Sequence, residues 1–229
     1  MATKPNTPPV GARKKRATPG RPEGPSTVRT EILDAAEEKF AEYGFAGTSL
    51  RDISEQAGVT QALVNYYFGS KHSLFVEVYL RRGRVVADRR MANLAALRER
   101  ADAFGVADIL HDYLAPGFEL RGSPGGRAFL RLQARLHTEP MVYAYDIRRQ
   151  TYDESTRAYA TLLGEHLPHL SERTIYWRLV QTIGAYLYLI SDAHRIQELT
   201  AGAVQVRDDA ETLRQLVAFV AGGFTAPES

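Results

Sequence analysis

The fold of this 229-residue chain is indicated most clearly by residues 48–75, which read TSLRDISEQAGVTQALVNYYFGSKHSLF. Three hydroxyl side chains stand where helices can begin: Ser49, Thr60 and Ser70. Asp52 follows the first of them by three residues, which is the spacing of a capping box. The pattern predicts one short helix ending at Gly58, a second running to about Phe68, and a longer helix after it.

Helices this short are unstable alone, so their apolar side chains must pack on the helices before and after them. Those side chains are Leu50, Ile53, Ala57, Val59, Val64 and Phe68. The preceding helix is predicted from Ser26 to Gly44, because apolar residues recur there at three- and four-residue spacing. The two short helices, separated by Gly58-Val59-Thr60, form a helix-turn-helix pattern.

The remainder of the chain is also helical in pattern. Five further helices are predicted at about 105–120, 125–137, 140–165, 171–197 and 208–222. The breaks between them are assigned to Pro116, the Gly122–Gly126 cluster, Pro140 and Pro168. Alternating β-type runs are absent from the sequence, so the predicted fold class is all-α, with about nine helices. The last two predicted helices are more apolar than one internal face requires, which predicts a homodimer packed through them.

Composition narrows the class of protein. The sequence has no cysteine, which excludes disulfides and thiolate metal sites and suits a cytoplasmic location. No run approaches the roughly 18 apolar residues that a membrane helix needs. Residues 1–30 hold seven basic side chains against Glu23, and six of the eleven prolines fall within the first 25 residues. Segment 1–25 is therefore predicted to be a disordered basic arm, suited to an anionic partner.

The residues after Thr60 suit a helix that enters the major groove of DNA at its N-terminal end. Gln61 and Asn65 lie one turn apart on one face, and both amides can pair bidentately with adenine. The further candidates are Ala62 and Leu63 for thymine methyl groups, and Thr60, Tyr67 and Lys71 for phosphates. A solvated helix face is the alternative interpretation of the two amides.

The charge of this region opposes DNA binding. Residues 31–80 carry three basic and eight acidic side chains, whereas attraction to phosphates normally supplies much of the affinity for DNA. Either the basic arm supplies that attraction, or neutral hydroxyl and amide contacts replace it, and we expect both. The arm could equally be a solvated tail without a defined contact.

The stretch from Ser26 to Tyr79 resembles the DNA-binding domain of TetR-family transcriptional regulators. The matching residues are Ile32, Ala35-Ala36, Phe40, Gly44-Phe45, Thr48-Ser49, Ile53, Ala57-Gly58-Val59-Thr60, Tyr67-Phe68, Ser70-Lys71 and Leu74-Phe75. The resemblance implies an all-helical dimer that binds a palindromic operator, usually represses, and is released by a small ligand in its C-terminal domain. It also implies DNA roles for Thr48, Ser49, Thr60, Gln61, Ala62, Leu63, Asn65, Tyr66, Tyr67 and Lys71. At Ala62, Asn65 and Tyr66 the chain departs from the commonest pattern of the family, so no relative's operator sequence carries over.

The resulting organisation is a basic arm (1–25), a helix-turn-helix DNA-binding domain (26–86) and a helical ligand-binding and dimerisation domain (87–229). Eight of the twelve tyrosines lie in the last of these. An effector cavity for a flat, partly polar or anionic molecule could be lined by Tyr113, Phe129, Tyr145, Arg149, Tyr152, Trp177 and Tyr186. Ordinary core and dimer packing is the alternative for each of them.

The leading hypothesis is therefore a ligand-responsive DNA-binding repressor. The alternatives are a ligand-independent activator or architectural protein, and a small-molecule binder or enzyme without DNA binding. We expect no catalytic residue, no metal and no cofactor. His166 and His169 flank Pro168 and cannot be helical metal ligands, and the Gly122–Gly126 cluster lacks the Lys-Ser/Thr of a phosphate-binding loop. Asp192 and His194 have no serine at nucleophile-elbow spacing.

Overall fold

The computed structural model describes residues 25–101, 103–138, 142–191 and 195–228. The helices are α1 (Pro25–Gly47), α2 (Leu50–Gln56), α3 (Gln61–Phe68), α4 (Lys71–Glu99), α5 (Val106–Glu119), α6 (Pro124–Thr138), α7 (Val142–His166), α8 (Glu172–Ser191), α9 (Arg195–Leu199) and α10 (Asp209–Thr225), with a 3₁₀ turn at Leu120–Gly122. The described residues contain no strand, so the all-α prediction is confirmed, with ten α-helices rather than about nine. None of these helices is long and apolar enough to cross a membrane. The predicted basic arm lies outside the described residues, apart from Pro25.

The predicted helix starts in the N-terminal region are confirmed. The Ser49 hydroxyl accepts from the backbone N–H of Asp52 at 3.1 Å, and the Asp52 carboxylate accepts from the backbone N–H of Ser49 at 2.9 Å. The hydroxyls of Thr60 and Ser70 cap α3 and α4 by accepting from the backbone N–H groups of Leu63 and Ser73. Gly58 occupies the left-handed region at φ +67°, which glycine adopts without steric cost, so the chain can turn between α2 and α3.

The short helices are held by a common core, as predicted. Ile53, Val64 and Phe68 are buried, and Leu50, Ala57 and Val59 pack against them while partly exposed. Phe40 on α1 makes an edge-to-face contact with Phe75 on α4, with ring centroids 5.0 Å apart. The two short helices α2 and α3 therefore depend on α1 and α4 for their stability.

Helix α4 joins the two predicted domains without a break. The expected boundary at residues 86 and 87 falls inside this 29-residue helix. Near its start, Arg81 and Arg82 reach the carboxylate of Glu37 on α1. Farther along, Arg90 and Asn93 donate hydrogen bonds to backbone carbonyls of α5. Both predicted domains therefore share one continuous helix.

One predicted break differs from the structure. Pro116 lies inside α5, where it is buried together with its neighbours, so tertiary packing compensates for the hydrogen bond that a helical proline removes. Within the range predicted as one helix over 171–197, the structure describes α8 and α9, and residues 192–194 between them lie outside the described residues. Pro168 does separate α7 from α8, and Pro140 lies outside the described residues.

Candidate nucleic-acid interface and ligand cavity

Helix α3 presents one exposed polar face. Its exposed side chains are Gln61, Ala62, Asn65 and Tyr66, whereas Val64 and Phe68 are buried. Positions 61, 65 and 62, 66 are each four residues apart, so the exposed residues share one side of the helix. No acidic residue occurs in α3. Amide, methyl and phenol groups are the chemistry that reads base edges in the major groove.

The two adjacent tyrosines of α3 have different surroundings. Tyr66 is 81% exposed, whereas Tyr67 is half-buried against the domain core. Their rings contact edge to face, with centroids 5.4 Å apart. The sequence predicts Tyr67 as a phosphate contact, but Tyr66 is the more accessible of the two. Leu63 is also half-buried, which leaves part of its side chain available for a methyl contact.

The hydroxyl groups at the helix starts have structural partners. Thr48 is buried, and its hydroxyl donates to the carbonyl of Gly44 at 2.8 Å, so it closes the end of α1 and is not presented to a partner. Ser49 and Thr60 are exposed while capping α2 and α3. The N-termini of these helices are therefore preorganised and open to solvent, as a phosphate contact requires.

Lys71 braces the start of α4. Its ammonium donates to the carbonyls of Phe45 and Thr48, each at 2.9 Å, and lies 4.4 Å from the centroid of the Phe45 ring. Two of the three N–H donors of this ammonium are therefore used within the protein, which leaves one for the predicted phosphate contact. Sequence reasoning missed this role, since the two carbonyls lie 23 and 26 residues away.

Most acidic side chains between positions 31 and 80 form ion pairs or hydrogen bonds within the protein. Ion pairs join Asp34 with Arg81, Glu37 with Arg81 and Arg82, Glu55 with Arg51, and Glu77 with Arg29. Asp52 serves the capping box of α2. Arg29, Arg81 and Arg82 lie outside the stretch whose charge balance opposes DNA. The repulsion expected from the sequence is thereby reduced, and none of it originates on α3.

A cavity of about 280 Å³ lies among α4, α5, α6, α7 and α8. Its lining includes Arg90, Tyr113, Gln133, His137, Tyr152 and Tyr186. It shares part of its wall, including His137 and Arg148, with a wider surface groove of about 750 Å³. Guanidinium, amide and imidazole groups thus converge with four tyrosine rings in the lining, a combination from which small-molecule sites are built.

Three of the seven predicted lining residues line this cavity: Tyr113, Tyr152 and Tyr186. The other four do not. Phe129 is buried in the core against the Tyr79 ring, and Tyr145 is exposed and lines the neighbouring groove. Arg149 is exposed and pairs with Asp146, and Trp177 is 59% exposed on the outer face of α8.

Arg90 and Gln133 were missed by sequence reasoning. A signal for Arg90 exists, because the buried positions of α4 include Val86, Arg90, Leu94 and Leu97 at helical spacing. A guanidinium at an otherwise apolar position of such a stripe marks a buried polar site. Gln133 donates to the Tyr152 hydroxyl at 3.0 Å, across two helices that the sequence did not place together.

Burial determines the protonation of the cavity's neutral groups. It raises the pKa of Tyr186 to about 12 and that of Tyr152 well above its usual value, so both phenols stay protonated at neutral pH. Burial, helped by the charge of Arg148, lowers the pKa of His137 to about 4, so its imidazole is neutral.

Tyr186 lies so close to Gly117 that a Cβ at position 117 would fall 1.9 Å from the phenol oxygen, so glycine is required at that position.

A surface of exposed apolar side chains covers α8 and α10. On α8 it contains Trp177, Val180 and Tyr188, which share one face, and on α10 it contains Phe219, which is 74% exposed. The two helices also pack against each other. Exposed apolar groups of this size on adjacent helices are typical of an interface with another chain.

The geometry defines a class: an all-helical protein with an N-terminal helix-turn-helix and a C-terminal helical region that contains a partly open cavity. Residues 32–78 match the bacterial regulatory proteins of the tetR family, and residues 111–223 match the tetracyclin repressor-like C-terminal domain. The chain belongs to the TetR family of transcriptional regulators.

Individual relatives match over parts of the chain. The HTH-type transcriptional regulator RutR of Escherichia coli strain K12 is 38% identical over 84 residues, which are 37% of this chain and 38% of RutR. The HTH-type transcriptional repressor KstR2 of Rhodococcus jostii is 42% identical over 55 residues, which are 24% of this chain and 27% of KstR2. The chain thus matches well under half the length of these curated relatives.

Solved structures extend the likeness to nearly the whole chain. HlyIIR, a hemolysin II transcriptional regulator, superimposes with a TM-score of 0.59 at 20% identity, covering 88% of this chain and 99% of its own. The fatty acid degradation regulator FadR from Bacillus halodurans gives a TM-score of 0.60 at 17% identity, covering 85% and 98%. At these identities the likeness concerns the fold.

Proposed function

We propose that this protein is a ligand-responsive, dimeric DNA-binding regulator of the cytoplasm. It acts as a repressor that a small aromatic or anionic effector releases from a palindromic operator. The observation that carries this proposal is the exposed, acid-free face of α3, held by capped helix starts on both sides. Catalytic chemistry has no part in the proposal.

We assign the base contacts to residues of α3, and the phosphate contacts to residues at the starts of α2, α3 and α4. Gln61 and Asn65 are placed to read base edges, with Ala62 and Tyr66 beside them. Ser49, Thr60 and the remaining N–H of Lys71 are the candidates for phosphates, where they would set the register of α3. The basic arm adds attraction that does not depend on DNA sequence.

Dimerisation through the last long helices, α8 and α10, would pair the two copies of α3. The exposed Trp177, Val180, Tyr188 and Phe219 supply an apolar surface for this contact. Two recognition helices enter successive major grooves only when they are about one helical turn of DNA, roughly 34–36 Å, apart. The separation of the α3 helices in the dimer therefore governs affinity for the operator.

Helix α4 provides the physical link between effector and DNA. Arg90 lines the cavity, and Lys71, 19 positions earlier on the same helix, braces the α1–α2 junction. That interval corresponds to roughly 28 Å of unbroken helix. An effector that prefers another position of α4 weakens DNA binding by no more than its differential affinity for the two states. The cavity favours this model over a ligand-independent DNA-binding protein.

The decisive experiment is selection from random duplex DNA by the full-length protein and by the 26–229 truncation in parallel. We expect both proteins to enrich one inverted repeat, and the full-length protein to bind it more tightly. Failure of both to enrich any sequence would refute the assignment as a sequence-specific regulator. Equal affinity of the two proteins would assign the arm no part in binding.

Two variants test the division of labour within the surface. We expect Asn65→Ala to relax sequence choice by about 1–3 kcal/mol, because an amide that pairs with a base is lost. We expect Lys71→Ala to weaken binding to all sequences and to lower the salt dependence. Gln150→Ala, an exposed change on α7, is the control. Equal losses on selected and scrambled DNA for both variants would contradict these roles.

A further inference from the structure

Arg90 carries a buried positive charge that no carboxylate of the described residues pairs with. Its side chain is 4% exposed, and its Nε donates to the backbone carbonyl of Tyr113 at 2.7 Å. Its guanidinium carbon lies 3.9 Å from the centroid of the Tyr113 ring and 5.6 Å from that of Tyr152. A buried charge without a counter-ion is costly, so a site that retains one is suited to receiving the opposite charge.

The other charged groups of the cavity do not neutralise Arg90. Asp153 pairs with Arg157 at 2.7 Å, so its carboxylate is already engaged. Arg148 is half-buried, with its guanidinium beside His137 and over the Tyr145 ring at 4.8 Å, toward the groove. The cavity therefore holds an excess of positive charge, and the most desolvated part of it is at Arg90.

A second polar group in the lining also lacks a partner. The hydroxyl of Tyr186 is buried and makes no hydrogen bond to the described residues. By contrast, the hydroxyls of Tyr113 and Tyr152 contact Thr156 and Gln133, at 3.1 and 3.0 Å. A buried donor without an acceptor is destabilising, so its retention points to a ligand oxygen as its partner.

We propose that this cavity binds an organic monoanion: a carboxylate on a ring-sized apolar body, paired with the guanidinium of Arg90. The two terminal nitrogens of that guanidinium have no hydrogen bond within the described residues, and together they match the two oxygens of a carboxylate. The rings of Tyr113, Tyr152 and Tyr186 contact the apolar body. The inference rests on the proposed function only in taking the occupant to be the effector.

The volume of the cavity limits the size of this anion. About 280 Å³ lies at the small end of the range of ligand sites, roughly 300–1,000 Å³. The enclosed part therefore suits a single ring with its carboxylate. A longer substituent would extend into the groove that shares His137 and Arg148 with the cavity.

The test compares three acids with their own neutral amides by calorimetric titration of the full-length protein. The acids are phenylacetate, 4-hydroxybenzoate and trans-cinnamate, each matched by the corresponding amide. We expect at least one acid to bind at least about tenfold more tightly than its amide, because only the acid supplies the counter-ion for Arg90. This comparison uses only the wild-type chain, so it stands whether or not a variant of Arg90 folds.

Two variants assign the effect to one side chain. Arg90→Gln should reduce the affinity for the preferred acid to that for its amide. Arg149→Gln changes an exposed arginine of α7 that lies outside the cavity and pairs with Asp146, and should alter the affinity by less than about threefold. An equal loss in both variants would remove the assignment to Arg90.

The remaining outcomes separate this inference from the proposed function. If the amides bind as tightly as the acids, the anion site is refuted, while a ligand-responsive regulator stands. If no acid binds, the anion site is again refuted, and the DNA selection described above decides the regulator assignment independently. If an acid binds preferentially but DNA selection fails, the anion site stands and the regulator assignment falls.

Discussion

Each region of the molecule buries one charged side chain among the described residues, and the two are treated in opposite ways. Glu37 of α1 is 1% exposed and accepts hydrogen bonds from both Arg81 and Arg82. Arg90, farther along α4, has no carboxylate partner within the described part of the chain and lines a cavity. The first charge is matched within the protein and joins helices. The second remains available, which is the property expected of a recognition group.

The difference shows how one helix can serve two purposes. In its first half α4 is fixed to the DNA-binding region by the ion pairs of Arg81 and Arg82 with Glu37 and by the capped turn before it. In its second half it borders empty volume and incompletely satisfied polar groups. Because one end of α4 is attached to the DNA-binding region and its second half borders the cavity, a ligand in the cavity can affect the position of α3.

The largest effect is expected from breaking the matched charge. Glu37→Gln removes the carboxylate that holds two guanidinium groups, and should lower the free energy of unfolding by about 2–4 kcal/mol. Glu55→Gln, which breaks the exposed pair with Arg51, should cost less than about 1 kcal/mol. Denaturant unfolding measures both. Similar costs for the two variants would show that burial does not distinguish these carboxylates.

Acid should weaken the C-terminal region through His137. Its pKa is about 4 in the folded protein and 6.5 for an ordinary histidine, so the unfolded chain binds more protons between these values. The free energy of unfolding should therefore fall, by about 1–2 kcal/mol for a partly exposed ring, as the pH decreases from about 6.5 to 4.

The variant His137→Gln should flatten this part of the pH dependence. His169→Gln provides the matched control, because that residue is exposed between α7 and α8. Thermal unfolding at several pH values distinguishes the two variants. An unchanged slope in His137→Gln would show that its imidazole is not the group responsible.

The smallest effects separate satisfied from unsatisfied phenols. Tyr159→Phe removes a hydroxyl that donates to the backbone carbonyl of Arg90 at 3.0 Å, and should cost about 0.5–1.5 kcal/mol. Tyr186→Phe removes a buried hydroxyl without a partner, and should be neutral or slightly stabilising without ligand. Chemical denaturation of both variants provides the comparison. A larger cost for Tyr186→Phe would indicate that its hydroxyl is satisfied in solution.

Much of the N-terminal region could be predicted because its signals are local. The hydroxyls of Ser49, Thr60 and Ser70 accept hydrogen bonds from backbone N–H groups three residues later in the chain. Gly58 permits the next turn through its own positive φ angle. Apolar spacing predicted the buried face of each helix for a similar reason. Such effects require no knowledge of which distant elements meet.

The cavity was predicted less completely because five helices contribute to it. Aromatic composition indicated Tyr113, Tyr152 and Tyr186, but it also indicated Phe129 and Trp177, which lie in the core and on the surface. Composition gives the kind of side chain and not its direction. That direction depends on how neighbouring helices pack, which no local spacing encodes.

The sequence by itself therefore determined the all-α class, the capped helix-turn-helix and the family resemblance, because each depends on residues within a few positions of one another. Only the tertiary structure decided that Lys71 braces the turn before α2, that Pro116 stays within a helix, and that Arg90 is buried beside a cavity. The physical reason is that burial, and hydrogen bonds between residues 20 or more positions apart, depend on how whole helices pack. Local preferences depend only on the conformation of the neighbouring backbone.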